Sequence, residues 1–72
     1  MNLRQIEVFR AIMATGSVSD AARLLHVSVP AVSRVLSHTE TQLNFPLFMR
    51  IKGRLSPTAE ARRLYHLSLI HI

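Results

Sequence analysis

One stretch of the sequence, residues 28–34, combines a helix start with side chains that can bind nucleic acid. Ser28 is a typical N-cap, because its hydroxyl can accept a hydrogen bond from a free N–H of the first helical turn. Pro30 suits that first turn, where its missing N–H is not needed. Short polar, apolar and basic side chains, with no acidic residue, occupy one face of the predicted helix: Val29, Pro30, Ser33, Arg34, Ser37 and His38. A helix with short hydrogen-bonding groups near its start suits insertion into a DNA major groove.

The opposite face of this helix is suited to burial. Val32, Leu36 and Leu43 recur at helical spacing, and Thr39 falls in the same row. We therefore predict a helix that runs to Leu43, packs on a core with one side and exposes the other.

Enzymatic and metal chemistry are disfavoured by the types and spacing of the remaining residues. No histidine pairs at i,i+4 with another ligand, and the chain has no cysteine, so a metal site is not expected. The four histidines are His26, His38, His66 and His71. Serines lie near His38, but no acid completes a catalytic triad, and the two glycines do not form a phosphate loop. We expect a non-enzymatic protein without cofactors.

Composition points to a polyanionic partner. The 72 residues include nine Lys and Arg against four Asp and Glu, a net charge of +5. No apolar run approaches the ~20 residues of a membrane span, and no signal peptide is recognisable. These features favour one small cytoplasmic domain, or part of a larger chain, with no contact to a membrane.

Two helices are predicted before residue 28. Asn2 can cap the first, whose core stripe is predicted to contain Leu3, Ile6, Phe9 and Ile12 or Met13. Val8 and Ile12 widen this surface, which either extends the core or meets a second subunit. Gly16 is suited to end the helix in the left-handed conformation.

The second predicted helix is short and lies close in sequence to the third. Ser19 is predicted to cap it, with Asp20 in the first turn. Ala21 and Ala22 permit close approach of a neighbouring helix, and Leu24 and Leu25 are expected in the core. The brief connection at residues 26–27 then predicts a helix-turn-helix motif.

A basic hairpin is predicted after the third helix. Asn44 can end that helix, and the apolar connector 45–48 contains two Phe side chains that we expect to cover the end of the core. Apolar and basic residues alternate over 49–56 around Lys52-Gly53, a turn signal typical of a two-stranded wing. The basic side chains at its tip could contact phosphates or a minor groove, or form an ordinary solvated loop. They are Arg50, Lys52 and Arg54.

Thr58 is predicted to cap a final helix with an apolar stripe of Leu64, Leu67 and Ile70. A lone domain of this size has difficulty burying that stripe. The tail is therefore either disordered or part of a longer helix that pairs with another chain.

Many residues of the chain resemble, in order and spacing, the N-terminal domain of LysR-type bacterial transcriptional regulators. The agreements lie at 2–5, 9, 16–17, 21–22, 25–28, 30–34, 43, 46–48, 50, 53–55 and 57–58. The resemblance implies a mainly α fold: a winged helix-turn-helix of three helices and a small two-stranded wing over 1–58, then the start of a linker helix over 59–72. It also implies a homodimer formed through that helix, and an effector-binding domain that this chain lacks, so that no small-molecule effector is expected to bind here.

The sequence departs from the family pattern at particular positions. Val29 stands where the family often has Gln, a side chain that hydrogen-bonds to bases in the major groove. The methyl groups of Val29 could instead contact a thymine methyl group. Thr39 replaces a usual core Leu, which weakens the core unless its hydroxyl finds a backbone carbonyl. The tail 65–72 does not resemble a finished domain.

These features together predict a regulator that binds double-stranded DNA sequence-specifically. The residues expected to contact DNA are Ser28, Val29, Pro30, Ser33, Arg34, Ser37, His38, Arg50, Lys52 and Arg54. The alternatives are a protein-interaction or dimerisation module with a winged helix, and a truncated regulator without function.

Overall fold

The structure is a computed structural model that describes the backbone of residues 1–70 and the side chains of residues 1–67. Within this part of the chain, four helices and one antiparallel hairpin confirm the predicted mainly α winged helix-turn-helix. The elements are α1 (Leu3–Thr15), α2 (Val18–Leu25), α3 (Val29–Leu43), β1 (Phe48–Ile51), β2 (Arg54–Pro57) and α4 (Ala59–Ile70).

Local caps set most of the helix ends, as predicted. The Asn2 side chain accepts a hydrogen bond from the N–H of Gln5, whose own side chain accepts from the Asn2 N–H, and these form a reciprocal capping box. Gly16 (φ 83°) and Asn44 (φ 66°) end α1 and α3 in the left-handed conformation. Thr58 Oγ1 accepts from the N–H of Ala61 at 3.1 Å, which confirms it as the cap of α4.

The cap of α2 is Ser17 and not Ser19. Ser17 has an extended backbone (φ −151°, ψ 154°), and its Oγ accepts a hydrogen bond from the N–H of Asp20 at 3.0 Å. The helix can begin this early because Gly16 completes the reversal of the chain in a single residue. Asp20 lies in the first turn, as expected.

The predicted core stripe of α1 is confirmed at Phe9 and Ile12 and is wrong at Leu3. Leu3 is 73% exposed and Ile6 is only half-buried, whereas Val8 and Ile12 are almost fully buried. Val8 and Ile12 therefore extend the core, which was the first of the two alternatives for them. The helix is rotated so that the face around these two residues meets α2 and α3, and this rotation also buries Gln5. The Gln5 amide donates to Gln42 Oε1 at 2.7 Å, so its burial leaves the group hydrogen-bonded.

On α2, Ala21 and Ala22 are buried as predicted, and Leu25 packs against the same core. Leu24 is 57% exposed, so its predicted place in the core is wrong. Leu24 follows Ala22 by two residues and therefore lies on nearly the opposite side of a helix with 3.6 residues per turn. Alanine at the contact lets α2 lie close to α1 and α3.

The predicted core face of α3 is confirmed. Val32 and Thr39 are buried, and Leu36 and Leu43 are half-buried against the core clusters. Thr39 Oγ1 donates to the carbonyl of Val35 at 2.8 Å, so the buried hydroxyl has the backbone partner that this position requires.

A second core cluster joins α1, the connector and α4. Phe9, Leu47 and Ala61 are buried in it, and the half-buried Phe45 and Phe48 pack against it, which confirms their predicted place at the end of the core. The Phe9 ring lies 5.9 Å from that of Phe48, between centroids, in a tilted arrangement. Phe48 is also the first residue of β1, so the wing begins directly on this cluster.

The hairpin confirms the predicted wing. Phe48 pairs with Pro57 and Ile51 pairs with Arg54, leaving a two-residue loop of Lys52 and Gly53. Both loop residues have positive φ, 52° and 77°, as a type I′ turn requires. None of the helices in the described part of the chain is long and apolar enough to cross a membrane.

Candidate nucleic-acid interface

The start of α3 presents an apolar step beside the cap. Ser28 Oγ accepts a hydrogen bond from the Ala31 N–H at 3.2 Å, as predicted, while the Ser28 residue itself remains exposed. Val29 is 43% exposed and Pro30 is also exposed. A partner at this end of α3 can therefore contact methyl and ring carbons as well as the exposed Ser28.

The following turns of α3 expose polar and basic groups. Ser33, Arg34, Ser37 and His38 lie outside the core, on the side away from the buried Val32 and Thr39. None of the exposed residues of α3 is acidic, since its single acid, Glu40, is half-buried and faces the connector. A polyanion can approach this face without repulsion from a carboxylate in the helix.

The wing exposes its cations at the tip and along both strands. Arg50, Lys52 and Arg54 are exposed, and Arg50 pairs with Leu55 whereas Arg54 pairs with Ile51. Because neighbouring positions on a strand point to opposite faces, the two arginines leave the hairpin from opposite faces. Lys52 extends from the turn itself. The wing can thus present positive charge on either side of its tip.

A cleft of about 490 Å³ separates the wing from the start of α2. Residues of the wing, among them Arg50, Arg54 and Leu55, line this cleft together with Ser17 and Asp20 at the start of α2. Ser19 lines it as well. The first N–H groups of α2 also point to this end of the helix, where the helix dipole favours a negative partner. Neither Ser17 nor Ser19 is among the interface residues predicted from the sequence. The sequence signal is Ser17 directly after the helix-ending Gly16. A serine at that position marks the start of α2 and so places Ser17 at its N-cap and Ser19 in its first turn.

The interface cations have no acidic partner within the described residues. The one ion pair in this part of the chain joins Arg23 to Asp20 at 3.3 Å on the surface of α2. Arg34, Lys52 and Arg54 are therefore available to an external anion, and Asp20 on the cleft wall is partly neutralised by Arg23.

The residues predicted for dimerisation fall into different environments. Leu64 is half-buried against the second core cluster of its own chain, and Leu67 is 47% exposed. The side chain of Ile70 lies outside the described residues. Among the described residues, no group of three or more His, Cys, Asp or Glu side chains comes together in a way that could hold a metal ion.

The family model for the bacterial regulatory helix-turn-helix protein, lysR family, matches residues 3–62. The HTH-type transcriptional regulator DgcR of Pseudoalteromonas sp. is 62% identical over 66 residues, which are 92% of this chain and 23% of that protein. The transcriptional activator protein LysR of Escherichia coli (strain K12) is 49% identical over 65 residues, 90% of this chain and 21% of that protein. The chain thus spans less than a quarter of the length of these relatives.

Solved structures show the same fold. The DNA-binding domain of BenM in complex with benA site 1 DNA superposes with a TM-score of 0.91 at 27% identity, covering 99% of this chain and 80% of that one. The CbnR DNA-binding domain in complex with DNA gives a TM-score of 0.86 at 29% identity, covering 99% of this chain and 87% of that one. The matched family model, the identities and the shared winged helix-turn-helix show that the chain belongs to the LysR family of bacterial regulatory helix-turn-helix proteins.

Proposed function

We propose that this chain is the DNA-binding domain of a transcription regulator and binds duplex DNA through α3 and the wing. The observation that carries the proposal is the character of the exposed face of α3, which is polar and basic, free of acid, and opposite the core face. The relatives are named transcription regulators, and the BenM and CbnR domains were solved with DNA, which supports the same use of this fold.

In this proposal α3 lies in the major groove. Ser33 and Arg34 read base edges, since an arginine can bind the O6 and N7 atoms of guanine with two hydrogen bonds. Val29 and Pro30 contact thymine methyl groups. Ser28, Ser37 and His38 lie at the margins of the same face and contact the sugar-phosphate backbone or neighbouring bases.

The wing and the cleft contact the backbone beside the groove. Arg50, Lys52 and Arg54 bind phosphates or enter the adjacent minor groove, where basic side chains are attracted by the negative potential. The cleft between the wing and the start of α2 leaves room for the sugar-phosphate chain, and Ser17 and Ser19 can donate hydrogen bonds to it there.

We further assign residues 1–58 to the DNA-binding unit and 59–72 to the start of a linker helix that forms a homodimer. Leu67 supports this assignment, because a large apolar side chain on α4 is half exposed in the single chain. A two-fold dimer would bind two half-sites on the same side of the duplex, spaced by turns of ~10 base pairs. The proposed setting is the bacterial cytoplasm, and the proposed activity is binding without catalysis.

Selection of bound sequences from a pool of random duplexes tests the proposal. We expect enrichment of a two-part site with related half-sites. Enrichment of no sequence, together with a gel shift that is equal for all duplexes, would contradict sequence-specific binding.

The exposed Leu67 also favours a second candidate, a module for protein interaction or dimerisation. Tight self-association in sedimentation without binding to any duplex at moderate salt would support that candidate instead. A chain that stays monomeric at micromolar concentration and binds DNA weakly and without specificity would indicate a truncated regulator.

A further inference from the structure

Glu40 joins α3, the recognition helix in the proposed DNA binding, to the base of the wing. It is the single acid of α3, lies on the turn that precedes the helix end, and is half-buried. Its Oε2 accepts a hydrogen bond from the N–H of Leu47 at 2.6 Å and lies 3.4 Å from the nitrogen of Phe48. A carboxylate that accepts backbone N–H groups makes stronger hydrogen bonds than a neutral acceptor does.

Leu47, whose N–H donates to Glu40, is also hydrogen-bonded through its carbonyl. The Leu47 carbonyl accepts from the N–H of Thr58 at 3.0 Å, and the Thr58 hydroxyl donates to the Pro46 carbonyl at 2.9 Å and lies 3.2 Å from the Leu47 carbonyl. The Leu47 side chain is fully buried in the second core cluster. Leu47 is therefore fixed by α3 through its N–H, by the start of α4 through its carbonyl, and by the core through its side chain.

The wing begins and ends at this fixed point. Phe48 is the first residue of β1, and its partner Pro57 is the last residue of β2 and precedes Thr58. A two-stranded hairpin is marginally stable alone, so its direction depends on how its base is held. Packing of the half-buried Phe48 restricts the position of the base of the wing. The hydrogen bond between the Leu47 N–H and Glu40 of α3 also restricts the orientation of the wing.

We propose that Glu40 is a positioning residue that sets the direction of the wing relative to the recognition helix, so that both reach the same duplex. This inference rests on the proposed DNA binding. In it Glu40 touches no DNA, and the wing cations bind phosphates only when the base of the wing is aligned with α3.

The test compares Glu40→Ala with Glu40→Gln, which retains a carbonyl acceptor, and with Glu7→Ala as control. Glu7 is exposed on α1, and its removal changes the net charge by the same amount. The probe is a mixed-sequence duplex, and the readout is the slope of log K against log salt concentration. That slope becomes shallower by about one unit for each phosphate that the protein no longer neutralises.

For Glu40→Ala we expect a shallower slope and weaker binding, although removal of an acid by itself strengthens attraction to DNA. The salt slope of Glu40→Gln should be close to that of the unmodified chain, and Glu7→Ala should not flatten the slope. In a chain that already carries Arg50→Gln, Lys52→Asn and Arg54→Gln, the Glu40→Ala change should not flatten the salt slope any further. A variant that merely folds less well would lower the bound fraction and leave the slope unchanged, and that result would contradict the role of Glu40.

Amide hydrogen exchange of the free protein separates this inference from the DNA-binding proposal. In Glu40→Ala the amides of Leu47 and of the β1–β2 ladder should exchange faster, while those of α1 keep their protection. Unchanged exchange in the wing, or an unchanged salt slope in a chain that binds DNA, would overturn the role of Glu40. Failure of the unmodified chain to bind any duplex, with faster wing exchange in the variant, would overturn the DNA binding and leave the structural coupling in place.

Discussion

Arg34 is the side chain of α3 best suited to distinguish one base pair from another. Its guanidinium is exposed, forms no ion pair within the described residues, and follows the small Ser33, which does not obstruct its approach to a groove. The planar group with paired donors matches the two acceptors that guanine presents in the major groove.

Replacing Arg34 by Ala should weaken binding to the selected site by roughly 1–3 kcal/mol and change binding to random DNA much less. Titration of both duplexes measures the difference, with Arg62→Ala on α4 as a control for the removed charge. An equal decrease in affinity on both duplexes would show that Arg34 contacts phosphate only.

Thr39 offers a second test at the residue scale, this time of stability. Its hydroxyl is buried and donates to the Val35 carbonyl, which also accepts the backbone hydrogen bond of the helix. Thr39→Val keeps the shape and leaves no group unpaired, so the free energy of unfolding should change by less than about 1 kcal/mol. Urea denaturation measures this, and a decrease of more than about 2 kcal/mol would mean that the hydroxyl matters more than its single partner suggests.

The ends of the elements are governed by individual hydrogen bonds. Ser28 Oγ accepts from the Ala31 N–H at the start of α3, next to the residues proposed to enter the groove. Ser28→Ala should lower the free energy of unfolding by about 1 kcal/mol, the usual effect of removing such a cap. Thermal unfolding measures it, and Ser37 in the middle of α3 provides the control Ser37→Ala. Equal stability of the two variants would argue against the cap.

The wing tip can be made neutral without disturbing its turn. Lys52 has a φ of 52°, and Asn tolerates this left-handed conformation better than most residues do. Lys52→Asn therefore removes the cation and favours the turn, and Arg54→Gln removes the neighbouring charge.

Each of these wing changes should weaken binding to all duplexes alike. The salt slope should become shallower by about one unit for every phosphate that the altered wing no longer neutralises. Gel shifts over a range of salt concentrations measure the slope, with Arg62→Gln as the matched removal of charge. A slope equal to that of the unmodified chain in both variants would exclude the wing from the binding surface.

At the largest scale, the described residues form a small basic domain in which α4 leaves the large apolar side chain of Leu67 half exposed. Leu67 is 47% exposed on α4, whereas Leu64 on the same helix packs against the second core cluster. The same helix thus packs against its own domain through Ala61, Leu64 and Tyr65 and leaves Leu67 half exposed.

Leu67→Glu should shift the protein toward monomer in sedimentation equilibrium at micromolar concentration and reduce cooperative binding to paired half-sites. Folding should be unaffected, because the replaced side chain is exposed in the single chain. Leu24→Glu alters a similarly exposed leucine on α2 and should leave the oligomeric state unchanged. Equal association of both variants would remove α4 from the proposed interface.

Turn and cap positions could be predicted from the sequence because they depend on residues close together in the chain. Ser28, Asn44 and the Lys52-Gly53 turn adopt the expected conformations. The residues of α3 proposed to contact DNA also lie outside the core, since they are opposite an apolar row whose burial can be predicted from helical spacing. The error at Ser19 arose because Ser17 offers the same chemistry two residues earlier, directly after Gly16.

The sequence by itself determined the order of the elements, most of their boundaries and the basic, acid-free face of α3, because these depend on backbone preferences and helical periodicity. Only the tertiary structure decided that Leu3 and Leu24 lie outside the core while Gln5 lies inside it, and where Glu40 finds its partners. Those outcomes depend on how each helix is rotated against its neighbours, and that rotation is set by packing between segments far apart in the chain.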